Sequence, residues 1–187
     1  RPNLGKCACW NARGGDAPPG IEELGSADDK VWRGDGPAAE RGLIILGNLV
    51  DTAEFVRNHA QQRLEKEQVL LDWLPKMSDL QCAWLLLALC ATPRANHIVR
   101  ALPPTQARDY AAEHDSRIWE TMQHLLGHTP SRGRARRARD LATLPRRLGG
   151  LGKRSAERTS PAAYWASWAD ALDVIRQRRP NEAAAYL

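Results

Sequence analysis

In 187 residues the sequence has one phenylalanine, two methionines and four cysteines, and it contains no Cys-x-x-Cys, no G-x-G-x-x-G and no Gly-Lys-Ser/Thr. Without a cysteine pair at ligand spacing, neither a thiolate zinc site nor a disulfide framework is indicated. Cys82 and Cys90 fall in an apolar helical stretch, where free cysteine behaves as a small hydrophobe. The chain therefore reads as intracellular, in nucleus or cytoplasm. Without the glycine motifs there is no dinucleotide or phosphate-loop fingerprint, and no small-molecule cofactor is expected. The longest strongly apolar run, CAWLLLALCA (82–91), falls short of a bilayer span, so no membrane partner is expected. The start, Arg-Pro-Asn, has no initiator Met and no apolar leader core, which reads as a chain cut from something longer.

What is present is a basic chain with an uneven charge. Hydrophobic residues make up 43%, enough for a core, and the formal charge is +5 with a pI near 9.3. Residues 131–158 carry ten basic side chains (Arg132, Arg134, Arg136, Arg137, Arg139, Arg146, Arg147, Lys153, Arg154 and Arg158) against two acids, Asp140 and Glu157. One segment supplies the lean towards anionic partners.

The patterning predicts a mainly α chain in three parts. Residues 1–50 hold nine of the fourteen glycines and only short apolar bursts, of which GLIILG (42–47) is the best strand. Residues 51–127 predict a helical bundle. Asp51 with Glu54 opens the first helix as a capping box, Ser78 with Gln81 the second, and Thr105 the third, which Gly127 ends. In the first helix Val56, Ala60, Leu64, Leu71 and Leu74 form the inner face, while Glu67 and its polar neighbours form the wet side. Residues 128–187 predict a basic linker, a Gly-rich turn and a terminal amphipathic helix that starts at Ser160-Pro161.

Several motifs invite sharper readings. Asp28-Asp29 imitates the carboxylate pair of a two-metal site. Such a site needs further carboxylates from other elements, and no strand precedes the pair, so it reads as a solvated acidic loop. LGGLG (148–152) reads as a turn that gathers basic flanks. His124 and His128 have the spacing of a helical metal pair, but Gly127 falls between them, so no metal site is assigned. Trp165 and Trp168, in a stripe with Tyr164, Leu172 and Ile175, read as core rather than as a base-stacking platform. The arginine run fits phosphate oxygens through guanidinium forks, and it equally fits a solvated linker.

Read together, several strings resemble the reverse transcriptases of non-LTR (LINE-like) retrotransposons, in the part after the catalytic aspartate hairpin. PNLGKCACWN (2–11) is similar to the family's N-x-x-K-T motif, with Asn3 and Lys6 on the match and Cys7 in place of Thr. RGLIILGNLVDTAEFV (41–56) is similar to the strand that leads into the thumb, with Leu46 and Gly47 matching, while Asn48, Leu49 and Asp51 depart from it. Residues 61–104 are similar to the thumb. LPRRLGGLGKRSAERTSPAAYWASWADAL (144–172) resembles the post-thumb LP-x-x-x-GGLG-x-RS segment, except that Lys153 stands where an apolar residue is common.

The resemblance implies the end of a palm, a thumb and a post-thumb segment of an RNA-directed DNA polymerase. It implies that Lys6 is a general acid near the incoming nucleotide, that Ile45, Leu46 and Gly47 form a primer grip, and that the basic residues from Arg132 to Arg154 bind nucleic acid. Implied partners are the RNA–DNA or DNA duplex backbone and the rest of the polymerase polypeptide. In the family the aspartate hairpin precedes the lysine motif, so Asp28-Asp29 cannot be that hairpin. Mg²⁺ is implied for the parent polymerase, no cofactor for this chain, and residues 1–187 alone are expected to be inactive. The alternatives left open are a stand-alone basic helical nucleic-acid-binding protein, or a helical protein-interaction module.

Overall fold

The computed structural model describes residues 8–11, 13–24, 31–45, 47–127 and 131–184, without the side chains of Asp51 and Arg132. The chain is mainly α, as the patterning predicts. Its elements are β1 (Gly42–Ile45), β2 (Asn48–Asp51), α1 (Ala53–Trp73), α2 (Leu80–Leu86), α3 (Asn96–Ala101), α4 (Pro104–Leu125), α5 (Arg132–Thr143), α6 (Ala156–Arg178) and α7 (Pro180–Ala184). It divides into two compact units, Arg1–Gln62 and Arg63–Leu187.

The first unit is held by local pairing. GLII (42–45) forms β1, and Gly47, whose φ of +83° suits a residue without a Cβ, lies in the turn to β2. β2 returns antiparallel, with Leu43 opposite Val50 and Ile45 opposite Asn48. Two of the apolar side chains that marked this strand, Ile44 and Ile45, are about half exposed (51% and 52%). A parallel bridge joins Cys9 to Trp32, and the buried Trp32 indole donates to Gly15 O at 2.9 Å. Thr52 Oγ1, one residue past the expected cap, accepts from Phe55 N–H at 3.2 Å and opens α1. The Phe55 ring lies flat against Gly42, leaving no room there for a Cβ.

In the second unit, Leu71, Leu74, Leu87, Ala91, Ile118, Met122 and Ala142 form the core, contributed by α1, the stretch after α2, α4 and α5. Burying one such leucine or isoleucine is worth about 1.5–3 kcal/mol. Pro93 does not break the chain between α2 and α3. A wide helical turn spans Leu87–Ala91, and the Thr92 hydroxyl donates to Leu87 O at 2.8 Å. The helical stretch Leu80–Ala101 is consequently long and apolar enough to cross a membrane by length and composition, unlike the shorter run 82–91. Its Ala83, Leu87, Ala91, Ile98 and Val99 are buried. α6 packs across α3 and α4.

Four expectations about local structure are corrected. Asp79 rather than Ser78 caps α2, its carboxylate accepting from Cys82 N–H at 3.0 Å. α4 begins on Pro104, with Pro103 before it, rather than on a Thr105 cap. α6 begins at Ala156 behind Ser155, so Pro161 lies inside the helix instead of opening it. Glu67 is not on a wet face either. It is 5% exposed, accepts from the Tyr110 hydroxyl at 2.8 Å, and pairs with His114 Nδ1 at 2.9 Å.

Candidate nucleic-acid interface

The arginine-rich stretch, expected as a linker, is helical because alanine and arginine are strong helix formers and a small-residue face lets the helix dock. Ala135, Ala138 and Ala142 recur at helical spacing, and Ala142 is buried against the core. With that face turned inward, Arg134, Arg136 and Arg137 are exposed on the rest of α5. Arg139 leans back, Nη2 donating to Ser116 Oγ at 3.4 Å. The side chain of Arg132 lies outside the described residues.

Beyond α5 the chain folds back as the tight turn expected of LGGLG. A short helical turn over Arg146–Leu148 ends on Gly149 with φ +79°. Gly152 N–H then donates to Leu144 O at 2.9 Å and Lys153 N–H to Ala142 O at 3.0 Å, satisfying the free carbonyls at the end of α5. Gly150 is enclosed, and a Cβ there would press into the Leu144 backbone carbonyl. Gly150→Ala is therefore expected to cost about 2 kcal/mol, because backbone must move. An unchanged urea midpoint would show that the turn yields freely.

This turn exposes Arg146, Arg147 and Arg154. With Arg134, Arg136 and Arg137 they make six guanidinium groups in no ion pair among the described residues. Lys153 leaves the expected group. Its side chain is 5% exposed, and its Nζ lies 3.9 Å from Asp115 Oδ1 and donates to Asp115 O at 3.2 Å. Burial pulls its pKa below the usual lysine value, Asp115 opposing and Arg139 adding to the shift. A cation held inside in this way cannot reach a phosphate without breaking the turn.

Asp115, which the sequence reading overlooked, fixes the site. Its carboxylate accepts from Ser155 Oγ at 2.6 Å, Ala156 N–H at 3.0 Å and Glu157 N–H at 3.2 Å. It therefore caps α6 from α4, and Ser155 Oγ completes the cap by accepting from Arg158 N–H at 3.2 Å. An acid on the α4 face otherwise filled by Ala111, Ile118 and Met122 was the signal for it.

The other candidates are scattered. Lys6, Leu46, Asp28, Asp29 and His128 lie outside the described residues. Ile45 and Gly47 sit at the end of the β1–β2 hairpin. His124 is exposed in the last turn of α4. Trp165 is 68% exposed rather than core. Tyr164, Trp168, Leu172 and Ile175 are half-buried along one side of α6, and Trp165, one residue after Tyr164, is turned about 100° from it.

Beside this turn lies a pocket of about 290 Å³. It is lined by Trp84, Leu87 and Pro93, by Ile118 and Met122 of α4, and by Arg146, Leu151, Gly152, Lys153 and Arg154 of the glycine turn.

Over 100 residues the chain is 31% identical to the Retrotransposable element SLACS 132 kDa protein of Trypanosoma brucei gambiense. The match covers 54% of this chain and 8% of that protein, so the chain spans a small part of its relative's length. No protein-family profile and no solved structure matches the chain.

Proposed function

We propose that residues 1–187 are a segment of a retroelement's RNA-directed DNA polymerase, and that the helical unit is a thumb that grips the template–primer duplex. The similarity to a retrotransposable-element protein over 54% of the chain carries the reading. The six unpaired guanidinium groups support the nucleic-acid part. Gripping a duplex regardless of its sequence requires phosphate contacts from a rigid scaffold rather than base-edge readers. α5 and the glycine turn are rigid in that sense, since the turn's backbone is hydrogen-bonded to the end of the helix.

On this reading Arg134, Arg136, Arg137, Arg146, Arg147 and Arg154 contact the duplex backbone, while Lys153 holds the scaffold together. Lys6 serves as the proton donor near the incoming nucleotide, and the hairpin end at Ile45 and Gly47 backs the primer terminus. Mg²⁺ would belong to the parent polymerase's aspartate hairpin. The segment alone is expected to bind duplex without extending a primer.

A salt titration of RNA–DNA duplex binding tests the reading. Arg134→Glu, Arg136→Glu and Arg137→Glu together are expected to make the slope of log affinity on log salt shallower by about 2–3, each lost phosphate contact counting about 0.9. Affinity that does not depend on salt would remove the nucleic-acid reading. An unchanged slope in the triple variant would make α5 a solvated support.

A further inference from the structure

We propose that the pocket beside the glycine turn seats one unpaired nucleotide, its base between the apolar walls and its phosphate on Arg146 and Arg154. The inference rests on the nucleic-acid reading and adds a second, single-stranded ligand to the duplex backbone. At about 290 Å³ the pocket is at the lower end of the roughly 300–1,000 Å³ of small-molecule sites, a size for one ring system rather than a large ligand.

The lining selects the chemistry. Trp84 offers an aromatic surface, and Leu87, Ile118, Met122 and Leu151 complete an apolar interior suited to a planar, weakly polar ring. No carboxylate lines the pocket, while Arg146, Lys153 and Arg154 all do. A cationic ligand would therefore find no counter-charge, and an anion finds two exposed guanidinium groups in the lining. Lys153, already paired with Asp115, serves as wall.

The backbone contributes as well. Gly152 has φ +68°, and the Arg146 side chain runs past it, Cγ lying 3.5 Å from where a Cβ would stand. The turn thus sets Arg146 against the wall without a side chain in between. Leu89, 69% exposed, stands at the rim. A ring with an attached phosphate is the one unit of nucleic acid that uses both parts. A paired nucleotide cannot, since its base is stacked within the duplex.

Binding of the whole chain is compared for three labelled duplexes: fully paired, with one unpaired nucleotide, and with an abasic residue at that position. The bulged duplex is expected to bind tighter than the abasic one by roughly 5- to 100-fold, the scale of one stacked base. The abasic and paired duplexes are expected to bind alike. Ala88→Phe, which fills the pocket without changing charge, is expected to abolish the preference while salt-dependent duplex binding persists. Leu89→Glu, placed at the exposed rim so that folding is not at issue, is expected to weaken the bulged duplex selectively by repelling its phosphate. Equal affinity for bulged and abasic duplexes, or a preference that survives both substitutions, overturns the pocket while leaving the duplex reading in place. Absence of all nucleic-acid binding overturns both.

Discussion

Asp115→Ala is expected to lower the melting temperature by roughly 10 °C or more, corresponding to a loss of about 3–5 kcal/mol. The carboxylate joins three elements. It comes from α4, accepts the first backbone donors of α6, and faces the Lys153 ammonium at the end of the glycine turn. Alanine leaves those donors unsatisfied in a buried setting and leaves Lys153 a buried cation with no counter-charge, held by the main-chain carbonyl of residue 115 alone, which is the larger cost. A second substitution separates the two contributions. Lys153→Met in the Asp115→Ala background is expected to recover part of the loss, because an apolar side chain of similar length fits where an unpaired ammonium does not. Asp115→Asn is expected to fall between wild type and alanine, since it keeps an acceptor for α6 and loses the charge. No recovery in the double variant would mean that the ammonium reaches solvent when Asp115 is gone.

Asp115 also illustrates which parts of the molecule the sequence makes legible. The positions of α1, the α2–α3 stretch and α4 follow from apolar spacing and from Pro75 and Pro103-Pro104, because periodicity and breakers act locally. Helix starts were less legible. Ser160-Pro161 carries a local start signal, yet α6 begins at Ala156, just after Ser155, where Asp115 from forty residues earlier satisfies the first backbone donors. Tertiary contact of this kind leaves no mark in a window of ten residues. Glu67 was misplaced for the same reason. Its neighbours Gln61, Gln62, Glu65 and Lys66 are polar, and the distant Tyr110 and His114, with Arg63 one turn earlier, make its burial tolerable. In α5 the charge density suggested a linker, and the alanines at i, i+3 and i+7 are what let it pack.

The candidate interface was legible as composition and not as geometry. The count of arginines singled out 131–158, but composition could not separate Lys153, whose aliphatic stem and ammonium are both buried, from Arg154 beside it, which is exposed. The inward placement of Lys153 has a physical reason. The position faces inward, and a lysine there is tolerated because Asp115 lies opposite. A cation at an inward position is a support for the turn that presents Arg146 and Arg154.

Glu67→Gln is expected to destabilise the chain by about 3 kcal/mol at neutral pH, and the loss is expected to shrink in acid. Glu67 lies between Tyr110, whose hydroxyl donates to it, and His114, whose other ring nitrogen lies 3.2 Å from Thr92 O. Both ring nitrogens of His114 thus lie within hydrogen-bonding distance of an oxygen, one on Glu67 and one on Thr92. Burial pushes the Glu67 pKa up, but His114, Tyr110 and Arg63 together outweigh it and hold it below the usual glutamate value of 4.5. The sign follows from that direction. A carboxyl group whose pKa is lower folded than unfolded contributes its full stabilisation above the unfolded value and loses it as pH falls through the folded one. The wild-type and glutamine proteins should therefore differ most in melting temperature near neutral pH, and converge as pH falls from the unfolded value of 4.5 through the lower folded one. The same burial pushes the Tyr110 hydroxyl well above its ordinary range, with Glu67 reinforcing the shift, so Tyr110 remains a donor throughout this window. A melting-temperature difference that stays constant from pH 7 to pH 3 would show that Glu67 acts by shape alone, and that the charge on the buried carboxylate contributes nothing.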